Sequence, residues 1–202
     1  MTHIVRIDAS ALSQGSESKK LADFFCEQFM QNHPNTQLTQ HILAQTLPSH
    51  IDEAFIGAAY TPAHARTEQQ KERLSYSDQH VQALKRADVL LISTPMYNFS
   101  LPSTLKAWLD NVTRVGETFK YDANGPEGLL NIPKVIVIVS SGGDYTQAPL
   151  NKMNFVEPYL TTILGFIGLH NVTFVNAPGL AMGEESKTRA LNNAQQALLN
   201  LI

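Results

Sequence analysis

Three short stretches of this chain carry residue types that could do chemistry. The first is DASALSQGSESKK, starting at Asp8, with four serines and one glycine. The hydroxyls of Ser10, Ser16 and Ser18, together with free N–H groups where a helix begins, form an anion site suited to a phosphate dianion. Lys19 and Lys20 add positive charge or lie on a solvated face, and Glu17 repels a phosphate unless its side chain turns away. An ordinary serine-rich turn with a helix cap has the same composition, so this stretch alone does not choose. It is neither a Walker loop nor a GxGxxG fingerprint, which argues against an NTPase or a Rossmann dinucleotide site.

The second stretch is PMYNF, from Pro95. Met96, Tyr97, Asn98 and Phe99 form an apolar tetrad broken by a single amide, unusual material for a solvent-facing loop. The third is SSGGDY, from Ser140. After Ser140 and Ser141, the pair Gly142 and Gly143 lets backbone lie close to a flat ligand. A ligand that suits all three has a phosphate at one end and a large planar ring at the other. Flavin mononucleotide (FMN) has that shape. Its ring needs apolar faces and N–H donors along the edge that gains electrons, which Asn98 and the backbones of Tyr97 to Phe99 and Gly142 to Gly143 can supply.

Elements that alternate along the chain must position these loops. HIVRID, QLTQHIL, VLLIST, VIVIVSS and NVTFVNA are short apolar or β-branched runs, predicted as five strands. Helical spacing separates them: a helix capped by Ser16 with Leu21, Phe24, Phe25 and Phe29 on one face, and a short helix around DEAFIGAAY. A long helix capped by Thr67 follows, then PSTLKAWLDNVTR, a helical stretch from Pro149 to Leu169 with Pro158 in it, and the C-terminal EESKTRALNNAQQALLNLI. Strand–helix alternation predicts an α/β fold: a doubly wound, flavodoxin-like five-stranded parallel sheet, order 2-1-3-4-5, with helices on both faces. In such a sheet ligands bind beyond the carboxyl ends of the strands, where the three loops lie. The expectation is a single domain over residues 1–202.

The 202 residues are 43% hydrophobic and 16% charged, with a net charge of −3, which argues against a general nucleic-acid binder. No apolar run approaches the roughly 20 residues that span a bilayer. MTHIVRID runs straight into a strand without an apolar leader, and Cys26, the one cysteine, sits in a helical pattern as a buried small hydrophobe. A cytoplasmic protein is therefore expected, with no membrane partner. Seven histidines are scattered without HxH or HExxH spacing, so no metal site is expected. VSSGGD is not the G-x-S-x-G of a serine hydrolase. A receiver domain would need an acidic cluster after the first strand, where Asp8 stands alone. Trp108 and Leu105 are expected at a subunit interface.

PMYNFSLPSTLKAWLD, TFKYDANGPEGL from Thr118, SSGGDY and PYLTTILGFIGL from Pro158 together resemble the FMN-dependent NADH-azoreductases (NADH:quinone oxidoreductases), over nearly the whole chain. The co-occurrence of PMYNF and NGPEGL is specific. The resemblance implies a homodimer whose active site is built from both subunits. It matches Ser10 and Ser16-Glu17-Ser18 to the phosphate segment, Met96 to Phe99 to the flavin ring, and Ser140 to Gly143 to its far edge. It places Phe119 and Tyr121, with Asn98, in the substrate pocket. Glu17 and Ser141 depart from the family pattern, and the stretch from Asp144 to Asn154 matches poorly. The implied reaction is a ping-pong two-electron reduction of quinones and azo compounds by NADH. No residue is assigned as acid, base or nucleophile. The alternative is a flavodoxin-type electron carrier without its own substrate.

Overall fold

The computed structural model describes residues 1–202. Its first strand, β1 (Thr2–Asp8), leads through the serine-rich loop to α1 (Glu17–Asn32), followed by β2 (Thr36–Ile42), α2 (Glu53–Tyr60), α3 (Glu68–Lys85) and β3 (Val89–Pro95). Then come α4 (Ser103–Val112), a hairpin of β4 (Phe119–Asp122) and β5 (Gly125–Gly128), β6 (Lys134–Ser140), α5 (Val156–Phe166), β7 (Val172–Ala177) and α6 (Glu184–Leu199). The main sheet runs β2-β1-β3-β6-β7, all parallel. With the hairpin set aside, this is the predicted order 2-1-3-4-5, and the point where the order reverses lies between β1 and β3.

Local chemistry explains the element starts. Ser16 Oγ accepts the Lys19 N–H at 3.4 Å and caps α1. Thr67 caps α3 in a reciprocal box with Gln70. One apolar layer, built on α3, α4 and α5, covers one sheet face, and a second, built on α1 and α6, covers the other. The central strands β3 and β6 are buried on both sides, so they are continuous apolar runs without alternation.

Two expectations need correction. The stretch from Pro149 to Leu169 is not one helix: a 3₁₀ turn (Leu150–Met153) ends before α5 begins. Asn154 makes the break, because its Oδ1 accepts the N–H groups of Val156 and Glu157 at 3.1 and 3.4 Å and starts a new helix. Pro158 falls in the first turn of α5, where its missing N–H leaves no bond unmade. Trp108 and Leu105 are not interface residues, since both are fully enclosed by their own chain. The Trp108 indole N–H donates to His80 Nδ1 at 3.0 Å.

His80 lies in a small aromatic cluster with His41 (ring centroids 4.0 Å apart), Tyr76 (4.2 Å) and Trp108 (6.3 Å). Burial, then the neighbouring His41, pushes the His80 imidazole down from 6.5 to about 3. The folded state therefore prefers neutral His80, and its contribution is complete above about pH 6.5, the ordinary value. It is lost as pH falls below that value, because the unfolded chain then binds the proton more readily. His80→Gln should flatten the fall in melting temperature between pH 6.5 and 4 relative to the parent protein. Parallel curves for the two proteins would refute this.

Candidate active site

The parallel sheet brings the three loops together at one edge. Asp8 pairs with Ser93 across β1 and β3, and Pro95 pairs with Ser140 across β3 and β6, so the strand ends are level. Beneath the first loop lies a buried ion pair. Arg6 Nε donates to Asp8 Oδ1 at 2.9 Å, and both residues are at most 2% exposed. Asp8 also accepts from Ser93 Oγ and from Gln40 Nε2, each at 2.6 Å. Arg6 continues outward to Asp23 (2.7 Å) and to the Lys19 carbonyl (3.1 Å) in the first turn of α1. The network thus ties β2, β3 and the start of α1 to the end of β1.

Above it, Ser10, Ser16 and Ser18 are all buried around the start of α1, and the Ser16 and Ser18 hydroxyls lie 3.3 Å apart. Glu17 and Ser18 open the helix, where N–H groups have no intrahelical acceptor. Glu17 does not stand free: its Oε1 meets the ammonium groups of Lys187 at 3.0 Å and Lys20 at 3.3 Å. Burial works to raise its carboxyl, but these two hydrogen bonds outweigh it and hold the group below the ordinary range.

In the second loop, Tyr97 and Ser100 exchange backbone hydrogen bonds at 2.9 and 3.0 Å around a two-residue turn. Its central residues, Asn98 and Phe99, have φ of 49° and 68°. Two successive left-handed residues make the mirror-image turn usually built from asparagine and glycine. For phenylalanine this conformation costs roughly 1–2 kcal/mol. The Asn98 and Phe99 N–H groups have no acceptor within the chain. Tyr97 was expected to offer its N–H as well, but the turn uses it. Tyr97 and Phe99 remain 36% and 39% exposed although both are large aromatics.

The third loop is held from behind. The carbonyls of Ser141, Gly142 and Gly143 accept from Leu180, Ala181 and Gly179, in the loop after β7. Ser141 Oγ donates to the Gly143 carbonyl at 2.8 Å. The N–H groups of Gly142 and Gly143 have no acceptor within the chain. A side chain on Gly143 would meet the Tyr145 ring at 3.0–3.1 Å. Tyr145 in turn packs edge-on against Phe99, centroids 5.7 Å apart, and so joins the second and third loops. Phe155, 59% exposed, donates its N–H to the Phe99 carbonyl. Tyr145 closes the SSGGDY stretch and Phe155 lies in the stretch from Pro149 read as helical, but neither was singled out as a site residue; their aromatic type was the one signal. A cleft of about 570 Å³ opens beside the tetrad, lined by Tyr97, Asn98, Leu101, Pro102, Lys106 and Tyr159.

Residues 2–202 match a family model described as the flavodoxin-like fold. An FMN-dependent NADH:quinone oxidoreductase of Hydrogenovibrio crunogenus is 54% identical over the whole of both chains. One from Burkholderia thailandensis is 43% identical over 98% of each. The chain belongs to the FMN-dependent NADH:quinone oxidoreductase family, within the flavodoxin-like fold. Among solved structures, an FMN-dependent NADH-azoreductase of Bacillus anthracis in complex with FMN superposes with a TM-score of 0.88. It is 27% identical, and the match covers 100% of this chain and 99% of that one.

In this member of the NADH:quinone oxidoreductase family, two of the expected site residues do not line the cleft of their own chain. Phe119 and Tyr121 sit on the β4–β5 hairpin, after the end of α4 and before the start of β6, hence at the opposite edge of the sheet. Phe119 is buried against Phe166 at the end of α5, centroids 4.6 Å apart, while Tyr121 is 66% exposed. The hairpin is fixed there, because a Cβ on Gly128 would fall 2.0 Å from the Gly168 nitrogen. Within one chain, Phe119 and Tyr121 therefore do not join Asn98 in a pocket.

The ion pair under the first loop predicts a measurable cost. Asp8→Ala leaves the Arg6 charge buried and partly uncompensated, which should lower stability by about 3–5 kcal/mol in urea unfolding. Ser93→Ala removes a single hydrogen bond to Asp8 and should cost nearer 1 kcal/mol. Equal losses for the two variants would show that the charge pair has no special standing.

Proposed function

We propose that this chain binds FMN across the three loops and reduces quinones and azo compounds with NADH in a ping-pong, two-electron reaction. The observation that carries this reading is the Asn98–Phe99 turn. A phenylalanine held in the left-handed region beside two unpaired N–H groups is strain stored at a binding surface. Those donors, and the unpaired N–H groups of Gly142 and Gly143, suit the polar edge of a flavin ring. The serine hydroxyls and the free first turn of α1 suit its phosphate. Relatives that carry this activity in their names support the same reading.

When bound, FMN supplies the two-electron transfer between nicotinamide and acceptor. This chain's residues bind and orient. Ser10, Ser16 and Ser18, with the Glu17 backbone, hold the phosphate. Met96, Tyr97, Asn98 and Phe99 give the ring an apolar seat and donors, and Ser140, Ser141, Gly142 and Gly143 close its far edge. No side chain at this edge is arranged as a general acid or base, and none is assigned that role. Residues 1–202 act as one domain.

The chain works as a homodimer. Tyr121 and the buried Phe119 cannot reach the cleft of their own chain, and as walls of the substrate pocket they serve the cleft of a second copy. The protein acts in the cytoplasm, consistent with its lone cysteine: the buried Cys26, whose thiol burial pushes up. No helix is long and apolar enough to cross a membrane.

The deciding experiment is an anaerobic NADH titration of protein reconstituted with FMN, followed in the visible band. Bleaching by one equivalent, with recovery on adding a quinone, is expected. FMN that binds but stays oxidised in NADH would favour an electron carrier. Gly143→Val should weaken FMN binding at least tenfold by driving a side chain into the Tyr145 ring while leaving the melting temperature within a few degrees. Unchanged affinity would remove the third loop from the site.

A further inference from the structure

We propose that Lys187, on α6, is an affinity residue for the phosphate site, acting by holding the Glu17 carboxylate in an ion pair so that it does not oppose an incoming dianion. This inference rests on the reading that the first turn of α1 receives the FMN phosphate. Glu17 is the first residue of that turn, set between the buried Ser16 and Ser18. A negative side chain at that place competes with a phosphate twice: it favours the same helix end, and it repels a second anion.

The structure gives Glu17 two cations. Lys20, three residues on along the same helix, is 61% exposed, and any helix with this sequence can form its pair. Lys187 is different in kind. It comes from α6, which packs beside α1, and its ammonium lies 3.0 Å from the same Glu17 oxygen. One carboxylate and two ammonium groups make this trio positive by one charge before Glu184 is counted. Glu184, one turn earlier on α6, is the other acidic group acting on Lys187. Asp23 on α1 is engaged by Arg6. Without Lys187, Glu17 keeps only the exposed Lys20, and the charge beside the first turn of α1 becomes more negative by one unit.

The class of ligand that senses this is a phosphate monoester, and riboflavin, which lacks the phosphate, is the internal control. Dissociation constants for FMN and riboflavin would be measured by flavin fluorescence quenching for the parent protein, Lys187→Met, Glu17→Gln and the double variant. Lys187→Met should weaken FMN about tenfold, the scale of one unscreened carboxylate near a dianion, and leave riboflavin unchanged. Glu17→Gln in that background should restore FMN affinity to within about threefold of the parent protein. The FMN effect should shrink in 1 M salt, where the Debye length is about 3 Å. Equal weakening of FMN and riboflavin by Lys187→Met, or no weakening of either, would overturn the inference. So would a failure of Glu17→Gln to rescue. A parent protein that takes up neither flavin would instead overturn the flavin reading, and this one with it. Circular dichroism and melting temperature check that Lys187→Met is folded, which a partly exposed pair should not alter.

Discussion

The Arg6–Asp8 pair is the constraint on which the ligand edge depends. Two opposite charges are withdrawn from water at the end of the central strand β1 and satisfied from all sides: Ser93 on β3, Gln40 on β2, and Asp23 and the Lys19 carbonyl on α1. A buried pair of this kind is a poor source of net stability, because desolvation offsets most of the attraction. Its effect is geometric. Its four partners come from three different elements, so the pair ties the carboxyl ends of β1 and β3 to the start of α1. The buried serines of the first loop, Ser10, Ser16 and Ser18, stand on that arrangement.

The second loop is positioned differently, by strain and not by charge. The Tyr97–Ser100 bridge closes a turn that Asn98 tolerates and Phe99 does not. Met96 N–H to the Ser140 carbonyl, Phe155 N–H to the Phe99 carbonyl, and the Tyr145 ring on Phe99 together over-determine the turn. Glycines would relax it, but they would forfeit the aromatic surface. The third loop completes the edge by giving the carbonyls of Ser141, Gly142 and Gly143 to the loop after β7, while the N–H groups of Gly142 and Gly143 stay free. Unpaired backbone donors on two adjacent loops therefore arise from separate local causes, and they converge because β3 and β6 are neighbours.

Strand order and helix caps were legible because their signals are local. Alternation of apolar runs with helical spacing fixes a parallel sheet, and Ser16 and Thr67 are oxygen-bearing side chains at the right offset from the first apolar turn. The three loops were legible as a set because the topology forces loops after adjacent parallel strands together. Trp108 was misplaced because burial inside one chain and burial between two chains leave the same apolar spacing. Its partner His80 is 28 residues away in sequence, and no local pattern announces that hydrogen bond. The break at Asn154 was missed because an apolar stretch with helical periodicity hides a side chain that competes for the backbone. The lysine that meets Glu17 was out of reach for a similar reason, since α6 returns to α1 only in three dimensions.

The placement of the hairpin bears most directly on how the site works. Gly128 and Gly168 approach so closely that neither tolerates a side chain, and Leu130 N–H donates to the Ile167 carbonyl just beyond. The hairpin therefore cannot swing round the sheet to cover its own ligand edge. Yet each edge exposes aromatic area: Tyr97, Phe99 and Phe155 at one, Tyr121 at the other. Exposed clusters of this kind mark surfaces that meet something. A second copy of this chain that set each hairpin over the other's tetrad would cover both clusters at once, in two symmetric places. That pairing is self-complementary, as a two-fold interface requires. It would make the substrate pocket a product of assembly, with the cofactor seat supplied by one chain and the wall by the other.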